Sequence, residues 1–186
     1  GKVTGVTAWS RFPLRLLSLQ QTQRFADAIA AAELVRQENK VGGLQFSLGF
    51  LVGKNGTPNK ISPLPGNDDV TPSSPGMPEA YRVLLRCPFC HDENLRMAFN
   101  RARWTLEHVC TNERCSMHDR ALPVYVVDQE IFRFLPTVVV GTLDKAASVG
   151  LQQAMRGLVG PPHGLCSQPW HGFTYAVRKK APDRKS

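Results

Sequence analysis

The sequence predicts an α/β fold in which a parallel sheet flanked by helices is interrupted by a small cysteine-bearing insertion. Strand-like and helix-like segments alternate along the chain, which is typical of a parallel sheet. Residues 137–141 (TVVVG) contain three consecutive valines, the pattern of a strand buried on both faces. Four cysteines fall in two close pairs between the two α/β parts.

Composition narrows the class of protein. The chain has 186 residues, of which 42% are apolar and 20% charged, so one globular domain with an insertion is expected. No run approaches the roughly 18 apolar residues of a membrane helix, and no signal peptide pattern is present, so we expect a cytoplasmic protein without membrane contact. The net charge of +8 is concentrated in residues 1–60 and 121–186. Such a surface favours DNA or RNA, although solubility alone also explains it.

The N-terminal part predicts a strand, a helix and a second strand. Residues 3–12 have a strand pattern that Pro13 closes. Ser18 and Gln21 have the spacing of a capping box, which predicts that a helix begins at Ser18. Residues 44–52 alternate between apolar and polar, the pattern of a strand with one buried face.

The rest of the chain predicts an insertion followed by the end of the sheet. Six of the fourteen prolines lie in residues 58–80, which predicts an exposed loop. Strand-like runs around the cysteines predict short strands, at 81–86 and 122–127 among others. Thr142 is placed to cap a helix over 143–155. The predicted parts are 1–60 (first α/β part), 61–80 (Pro-rich loop), 81–127 (zinc-ribbon insertion), 128–175 (second α/β part) and 176–186 (basic tail).

The cysteine spacing predicts a structural zinc site. Cys87-x2-Cys90 and Cys110-x4-Cys115 are separated by nineteen residues. Two tight turns that each present two thiolates supply the tetrahedron that Zn²⁺ requires, and four thiolates leave no open position for catalysis. The segment is short and its net charge is zero, so the metal is expected to provide much of its folding energy.

Alternatives to this ligand set stay open at this point. A redox-active C-x-x-C pair is the main rival, but a thioredoxin-like setting is missing. His91, His108 and His118 lie close in sequence, and His118 in place of Cys115 is the most favourable exchange. Cys166 has no partner in spacing and is expected to be a lone thiol.

Two segments resemble motifs of a known enzyme family. Residues 11–21 (RFPLRLLSLQQ) resemble the motif Ia region of zinc-containing bacterial superfamily-two DNA helicases, which include the helicase of the DISARM anti-phage system. Residues 135–145 (LPTVVVGTLDK) resemble a later strand and T-x-D-K motif of the same family. Residues 49–53 with Thr57 to Asn59 are similar to the strand and turn between the two. The resemblance covers residues 8–60 and 87–145, and it implies an internal piece of the first RecA-like motor domain.

The motifs for ATP hydrolysis are missing from these residues. A P-loop requires G-x-x-x-x-G-K-[ST], because glycine amides cradle phosphate and the hydroxyl holds Mg²⁺. Neither that motif nor a DExH box is present, since the run from Asp128 to Glu130 has the wrong order. We therefore expect no ATPase activity from this chain alone, with ATP and Mg²⁺ bound only by the full-length protein.

The resemblance implies that part of the chain contacts the backbone of DNA, most favourably a single strand. A strand-to-helix junction offers amides and a positive dipole end to phosphate. The alternative is that these side chains only cap helices or pair with carboxylates. The implied contacts are Arg11, Arg15, Gln20, Gln21, Thr142 and Lys145.

Two further function classes remain. In the first, the chain is a non-enzymatic zinc-ribbon adaptor in which Arg96, Arg101 and Arg103 bind nucleic acid. In the second, it is a protein-docking module whose interface is the ribbon and the Pro-rich loop. The expected partners of the helicase segment are DNA, the remaining motor domains and proteins of a defence complex.

Overall fold

The computed structural model describes residues 5–13, 15–52, 56–62, 69–71, 78–148, 153–160, 162, 164–168 and 171–174. Its helices are α1 (Arg15–Glu38), α2 (Asp128–Phe134) and α3 (Leu143–Ala147), with 3₁₀ turns at Pro78–Tyr81 and Gln153–Leu158. Its strands are β1 (Ala8–Phe12), β2 (Leu48–Leu51), β3 (Lys60–Ile61), β4 (Asp69–Val70), β5 (Leu95–Asn100), β6 (Thr105–Cys110), β7 (Val124–Tyr125), β8 (Val138–Thr142), β9 (Gly164–Leu165) and β10 (Phe173–Thr174). Within the described ranges, no helix is long and apolar enough to cross a membrane.

A four-stranded parallel sheet forms the centre of the protein, in the order β1-β8-β2-β7. The predicted valine strand is β8, which pairs with β1 on one side and β2 on the other. Val139 and Val140 are both fully buried, as expected for a strand covered on both faces. The α/β fold class is therefore confirmed.

Helices cover the two faces of this sheet. Ala26 of α1 shares a buried apolar cluster with Phe50 of β2 and Val140 of β8. Ile131 of α2 belongs to a second cluster with Leu51 and Val139, which lie on the opposite face of the same strands. The two clusters position α1 and α2 on opposite sides of the sheet.

The cysteine-bearing insertion contains a β-hairpin. Its strands β5 and β6 are antiparallel, with Leu95 opposite Cys110 and Asn100 opposite Thr105. Buried residues of this hairpin, such as Leu106, belong to the same apolar cluster as Ala26 of α1. The insertion therefore packs on the α1 face of the sheet instead of standing apart. β7 falls within the range assigned to the insertion, but it pairs with β2 in the central sheet.

Two predictions for the first α/β part are wrong in detail. The helix begins at Arg15, three residues before Ser18. Ser18 is not at the cap position, because it lies inside the helix, where its buried hydroxyl donates to the carbonyl oxygen of Gly141 at 3.5 Å. β2 also differs from the predicted half-buried strand, since all four of its residues are buried. A strand between two others, covered by helices on both faces, has no solvent face regardless of alternation.

Two predictions for the later part also need correction. Residues 82–86 form no strand. They follow a 3₁₀ turn that ends at Tyr81. The helix after Thr142 ends at Ala147 and a 3₁₀ turn begins at Gln153. Residues 149–152 of the predicted helix, most of the Pro-rich loop and the basic tail lie outside the described residues.

A buried carboxylate fixes the end of α1 to the start of β2. Glu33 is 1% exposed. Its two oxygens accept a fork from Arg36 at 2.9 and 2.7 Å, and they also accept the backbone amide of Phe46 at 3.1 Å. The bonds from Arg36 outweigh the effect of burial and lower the pKa of Glu33 to about 2.

Replacing this carboxylate tests its contribution to stability. We expect Glu33→Gln to lower the free energy of unfolding by roughly 1–3 kcal/mol near neutral pH, since a buried charge-assisted network loses its acceptor. The folded-state pKa is lowered, so the contribution is complete above the ordinary pKa of 4.5 and lost as pH falls toward about 2. Urea titrations over this pH range measure it. The exposed Glu38→Gln on the same helix is the control, and equal curves for both variants would contradict the assignment.

The close packing of β8 against its neighbours leaves no room for a larger side chain at Gly141. A Cβ atom on Gly141 would lie 2.6 Å from the carbonyl oxygen of Leu51 and 3.1 Å from Trp9 Nε1. Gly141→Ala must therefore shift the backbone of a central strand, and we expect a loss of about 1–3 kcal/mol in thermal or urea unfolding. Gly42→Ala, where a Cβ would meet nothing within 4 Å, should leave stability nearly unchanged. A Gly141→Ala variant as stable as Gly42→Ala would refute this account of the sheet.

Candidate metal centre and nucleic-acid interface

The four predicted cysteine ligands converge at one end of the β5–β6 hairpin. Their sulfur atoms all lie within 4.8 Å of one another. The sulfurs of Cys87 and Cys115 are 3.8 Å apart, and those of Cys90 and Cys110 are 3.7 Å apart. A tetrahedron with metal–sulfur distances of about 2.3 Å has edges of about 3.8 Å. The cluster is therefore close enough to form a zinc site.

Local turns set this geometry. The amide of Cys87 donates to the carbonyl of Asp92 at 2.8 Å, and His91 closes the first turn with a positive φ of 60°. In the second turn, the amide of Met117 donates to the sulfur of Cys115 at 3.3 Å. Each turn holds its two sulfurs on one side, as expected of a metal-binding knuckle.

The electrostatics of the cluster favour a cation. Burial raises the pKa of the Cys87 thiol, and it raises the pKa of Cys110 to about 11. Burial also opposes ionisation of Cys90, but the amide of Asp92 and the neighbouring thiols outweigh it and lower the pKa of Cys90. A divalent cation offsets the cost of the thiolates, because metal binding deprotonates coordinating thiols.

The histidine alternatives do not join the cluster. His91 is exposed, and His118 Nε2 lies 3.5 Å from Asp119. His108 is fully buried, and its Nε2 accepts the backbone amide of Val83 at 3.1 Å. Burial, with a smaller effect of Arg82, lowers the pKa of His108 to about 3, so the ring is neutral and serves as an acceptor. Cys166 lies apart from the four, with its sulfur 3.5 Å from Nδ1 of His171.

The first knuckle is attached directly to α1. Arg86, which precedes Cys87, forms an ion pair of 2.9 Å with Asp27. Gln23 accepts the amide of Leu85 at 2.9 Å and donates to the carbonyl of Arg86 at 3.3 Å. The metal cluster and the helix therefore share a short, direct set of polar contacts.

The two motif-like segments meet at the carboxyl edge of the sheet. In the parallel pairing of β1 and β8, Arg11 lies opposite Gly141 and Phe12 opposite Thr142. Both strands lead into helices at this edge, α1 from Arg15 and α3 from Leu143. Arg11 is exposed, whereas Thr142 is 5% exposed. Thr142 occupies the N-cap position, but its hydroxyl donates to the carbonyl of Val52 at 3.4 Å and makes no cap bond.

A partly buried ion pair lies at the same edge. Lys145 Nζ is 2.5 Å from Asp128 Oδ2, and the hydroxyl of Thr57 donates to Asp128 Oδ1 at 3.2 Å. Burial raises the pKa of Asp128, while Lys145 and Thr57 oppose that shift. The negative charge of Asp128 offsets the charge that Lys145 offers to a phosphate.

The remaining predicted contacts lie on the first turns of α1. Gln20 is exposed and Gln21 is half-buried. Arg15 begins the helix, but its side chain lies outside the described part of the structure. Arg11, Gln20 and Gln21 therefore lie at the first strand-to-helix junction, and Thr142 and Lys145 lie at the second.

Sequence reasoning did not identify the buried acidic residues Glu33, Asp128 and Glu130, and the last of these lines a cavity. Glu130 is 1% exposed, and its Oε1 accepts the amide of Leu106 at 2.8 Å. In the sequence, this residue stands out only as part of a run that fails to match a DExH box. Asp128 and Glu130 after Val126-Val127 indicate the first turn of a helix, but they do not predict that Glu130 is buried.

Removing one ligand tests the metal centre. We expect the chain to hold one zinc ion, and Cys110→Ser to lose it and to lower the unfolding temperature, because a structural metal contributes folding free energy. Metal analysis and the thiolate-to-cobalt absorption of the Co²⁺-substituted protein measure this. Cys166→Ser is the matched control and should keep full metal content. Stoichiometric metal in Cys110→Ser would exclude the four-cysteine site.

Comparison with known proteins supplies a relative. No protein-family model matches the chain. The DISARM protein DrmA of Bacillus paralicheniformis is 36% identical over 174 residues, which cover 88% of this chain. The chain spans only 16% of the length of that relative. At this identity and coverage, the chain is similar to one part of the DISARM protein DrmA.

Proposed function

We propose that the chain is a segment of an ATP-dependent DNA helicase or translocase of anti-phage defence, to which it contributes DNA-backbone contacts and a structural zinc. The DISARM name of the relative supports the defence role. The motif-like segments 11–21 and 135–145 support the motor role through their resemblance to superfamily-two helicases.

The observation that carries this proposal is the register of β1 and β8. The two motif-like segments are more than a hundred residues apart in sequence, yet Phe12 and Thr142 lie opposite each other at one edge of the sheet. Ligands of open parallel sheets bind at the carboxyl edge of the strands. A strand of DNA that follows this edge would meet both segments.

The charges at this edge suit a phosphate backbone. The first turn of α1 contains no acidic residue, so the positive end of the helix dipole is not neutralised there. Arg11 is exposed near the end of β1, the strand that precedes α1, and Arg15 is the first residue of the helix. Amides and guanidinium groups together form an anion site of the kind that phosphates occupy. We include Gln20 and Gln21 as polar contacts, Thr142 through its backbone amide, and Lys145, whose charge Asp128 offsets.

The zinc would brace this edge without taking part in chemistry. Zn²⁺ bound by Cys87, Cys90, Cys110 and Cys115 supplies folding energy to the hairpin. The ion pair of Arg86 with Asp27 transmits that order to α1. Removal of the metal is therefore expected to weaken DNA binding through the position of the helix.

ATP hydrolysis is assigned to other parts of the whole protein. Neither a P-loop nor a DExH box occurs in the 186 residues. We propose that ATP and Mg²⁺ bind in the remaining motor domains, and that proteins of the same defence complex are further partners.

The adaptor alternative receives less support from the hairpin itself. Arg96 lies 3.2 Å from Asp119, and Arg103 lies 3.8 Å from Glu107. These pairs offset positive charge on the surface that an adaptor would use for nucleic acid.

Replacing the arginines of the α1 junction tests the DNA contacts. We expect the zinc-loaded chain to bind a fluorescent single-stranded oligonucleotide with an affinity that falls steeply with salt concentration. Arg15→Ala should weaken binding, and the slope of log affinity against log salt should fall by about 0.7 for each phosphate that the variant no longer neutralises. Fluorescence anisotropy over a salt series measures both quantities.

The hairpin provides the matched control for this experiment. Arg101 is exposed at the opposite end of β5 from the metal cluster, and the adaptor hypothesis assigns it to nucleic acid. Arg101→Ala should leave affinity and slope unchanged. If Arg101→Ala weakens binding while Arg15→Ala does not, the adaptor hypothesis replaces the motor-segment proposal.

A further inference from the structure

A cavity of about 630 Å³ lies beside β7, at the edge of the sheet farthest from β1. Residues of β6, β7, α2, β9 and β10 line it. Its volume falls in the range of pockets that hold small organic ligands. The residues that line the cavity include none of the proposed DNA contacts Arg11, Arg15, Gln20, Gln21, Thr142 and Lys145.

A buried carboxyl group lines the cavity, and one of its two oxygen atoms has no hydrogen-bond partner among the described residues. Glu130 Oε1 accepts the amide of Leu106, but Oε2 has no hydrogen-bond partner among the described residues, and the residue is 1% exposed. Burial raises the pKa of Glu130 to about 8, so the group is a neutral acid near pH 7. A neutral acid has one O–H donor. A buried donor without an acceptor costs free energy, which a ligand with an acceptor atom relieves.

An aromatic pair forms part of the wall. The rings of Tyr125 and Phe134 are stacked with centroids 5.1 Å apart and an interplanar angle of 21°. Burial raises the pKa of Tyr125 to about 12, so the phenol stays neutral. Apolar side chains such as Leu165 and Phe173 complete this side of the cavity. The Arg133 guanidinium lies over the Phe134 ring at 4.8 Å from its centroid, so this ring already contacts both Tyr125 and Arg133. A planar heteroaromatic ring would pack against the remaining faces and edges of the aromatic pair.

The charged groups around the carboxyl define the sign of the ligand. Arg133 lies on the same helix as Glu130, and Arg103 and Glu107 face it from the hairpin. Glu107 already accepts the hydroxyl of Thr105 at 2.6 Å and pairs with Arg103. With Glu130 neutral, two guanidinium groups face one carboxylate, so the lining is net positive. A cationic ligand is therefore disfavoured and an anionic one favoured.

We propose that this cavity binds a nucleotide, with the base against the Tyr125–Phe134 wall, an acceptor atom of the base on the Glu130 carboxyl, and the phosphate toward Arg103 and Arg133. The features of the site are a planar apolar wall, a buried hydrogen-bond donor and a positive rim. A free nucleotide and a base unstacked from a single strand share this chemistry. The nucleotide site does not depend on the proposed DNA-contact edge, and the use of mononucleotides keeps the two tests distinct.

Titration calorimetry of the zinc-loaded chain with deoxynucleoside monophosphates tests the site. We expect saturable binding of one nucleotide per chain and at least tenfold weaker binding of deoxyribose 5-phosphate, which lacks the base. Equal affinity for a mononucleotide and a trinucleotide identifies a free nucleotide as the ligand. Binding of the trinucleotide alone, weakened by Glu130→Met, identifies a base of a strand, whereas trinucleotide binding that Glu130→Met leaves unchanged belongs to the DNA-contact edge and overturns the proposal. Binding of neither overturns the proposal.

Variants of Glu130 assign the binding to this cavity. Glu130→Gln keeps both an acceptor for Leu106 and a donor for the ligand, so it should bind as the natural protein does at pH 7. Glu130→Met removes the donor and should weaken binding about tenfold. The exposed Glu93→Gln on the insertion is the control and should change nothing.

The pH profile separates a role in binding from a role in packing. The affinity of the natural protein should fall as pH rises through about 8, where Glu130 ionises. The affinity of Glu130→Gln should stay constant over the same range, because an amide does not titrate there. Identical pH profiles for the two proteins, or unchanged affinity in Glu130→Met, would overturn the assignment even if one variant folds poorly.

Discussion

The pairing of β8 with strands on both of its sides is the constraint on which the rest of the structure depends. β8 donates and accepts backbone hydrogen bonds with β1 and β2 in parallel register, and Gly141 permits the backbone of Leu51 to come close. Parallel pairing places the carboxyl ends of these strands at one edge. The helices α1 and α3 begin at that edge, and the candidate nucleic-acid interface lies there as well.

Around this sheet, the helix α1 connects parts that are far apart in sequence. Its middle contacts the metal knuckle through Asp27 and Gln23, and its end is fixed to β2 through Glu33. Its start lies beside the end of β8, where Ser18 reaches Gly141. The insertion is therefore part of the same core as the sheet, and these contacts would connect a metal bound by the four cysteines to the proposed DNA-contact edge.

The sequence allowed good prediction where one local signal had only one structural solution. Three consecutive valines predict a central strand, and the spacing of Cys87 to Cys115 predicts the cluster that the structure forms. The predicted start of α1 was wrong, because the helix begins at Arg15 and the Ser18 hydroxyl, which the local pattern assigns to a cap, contacts Gly141, a residue distant in sequence. The buried state of Glu130 was missed because it arises from β6, a strand distant in sequence, and no local pattern encodes that contact.

The central claim is that DNA lies along the ends of β1 and β8. The most direct test is to measure amide hydrogen exchange of the zinc-loaded chain with and without a single-stranded oligonucleotide. We expect slower exchange in residues 15–21 at the start of α1 and in residues 142–145 at the start of α3. Protection confined to the β5–β6 hairpin, with both helix starts unchanged, would contradict the claim.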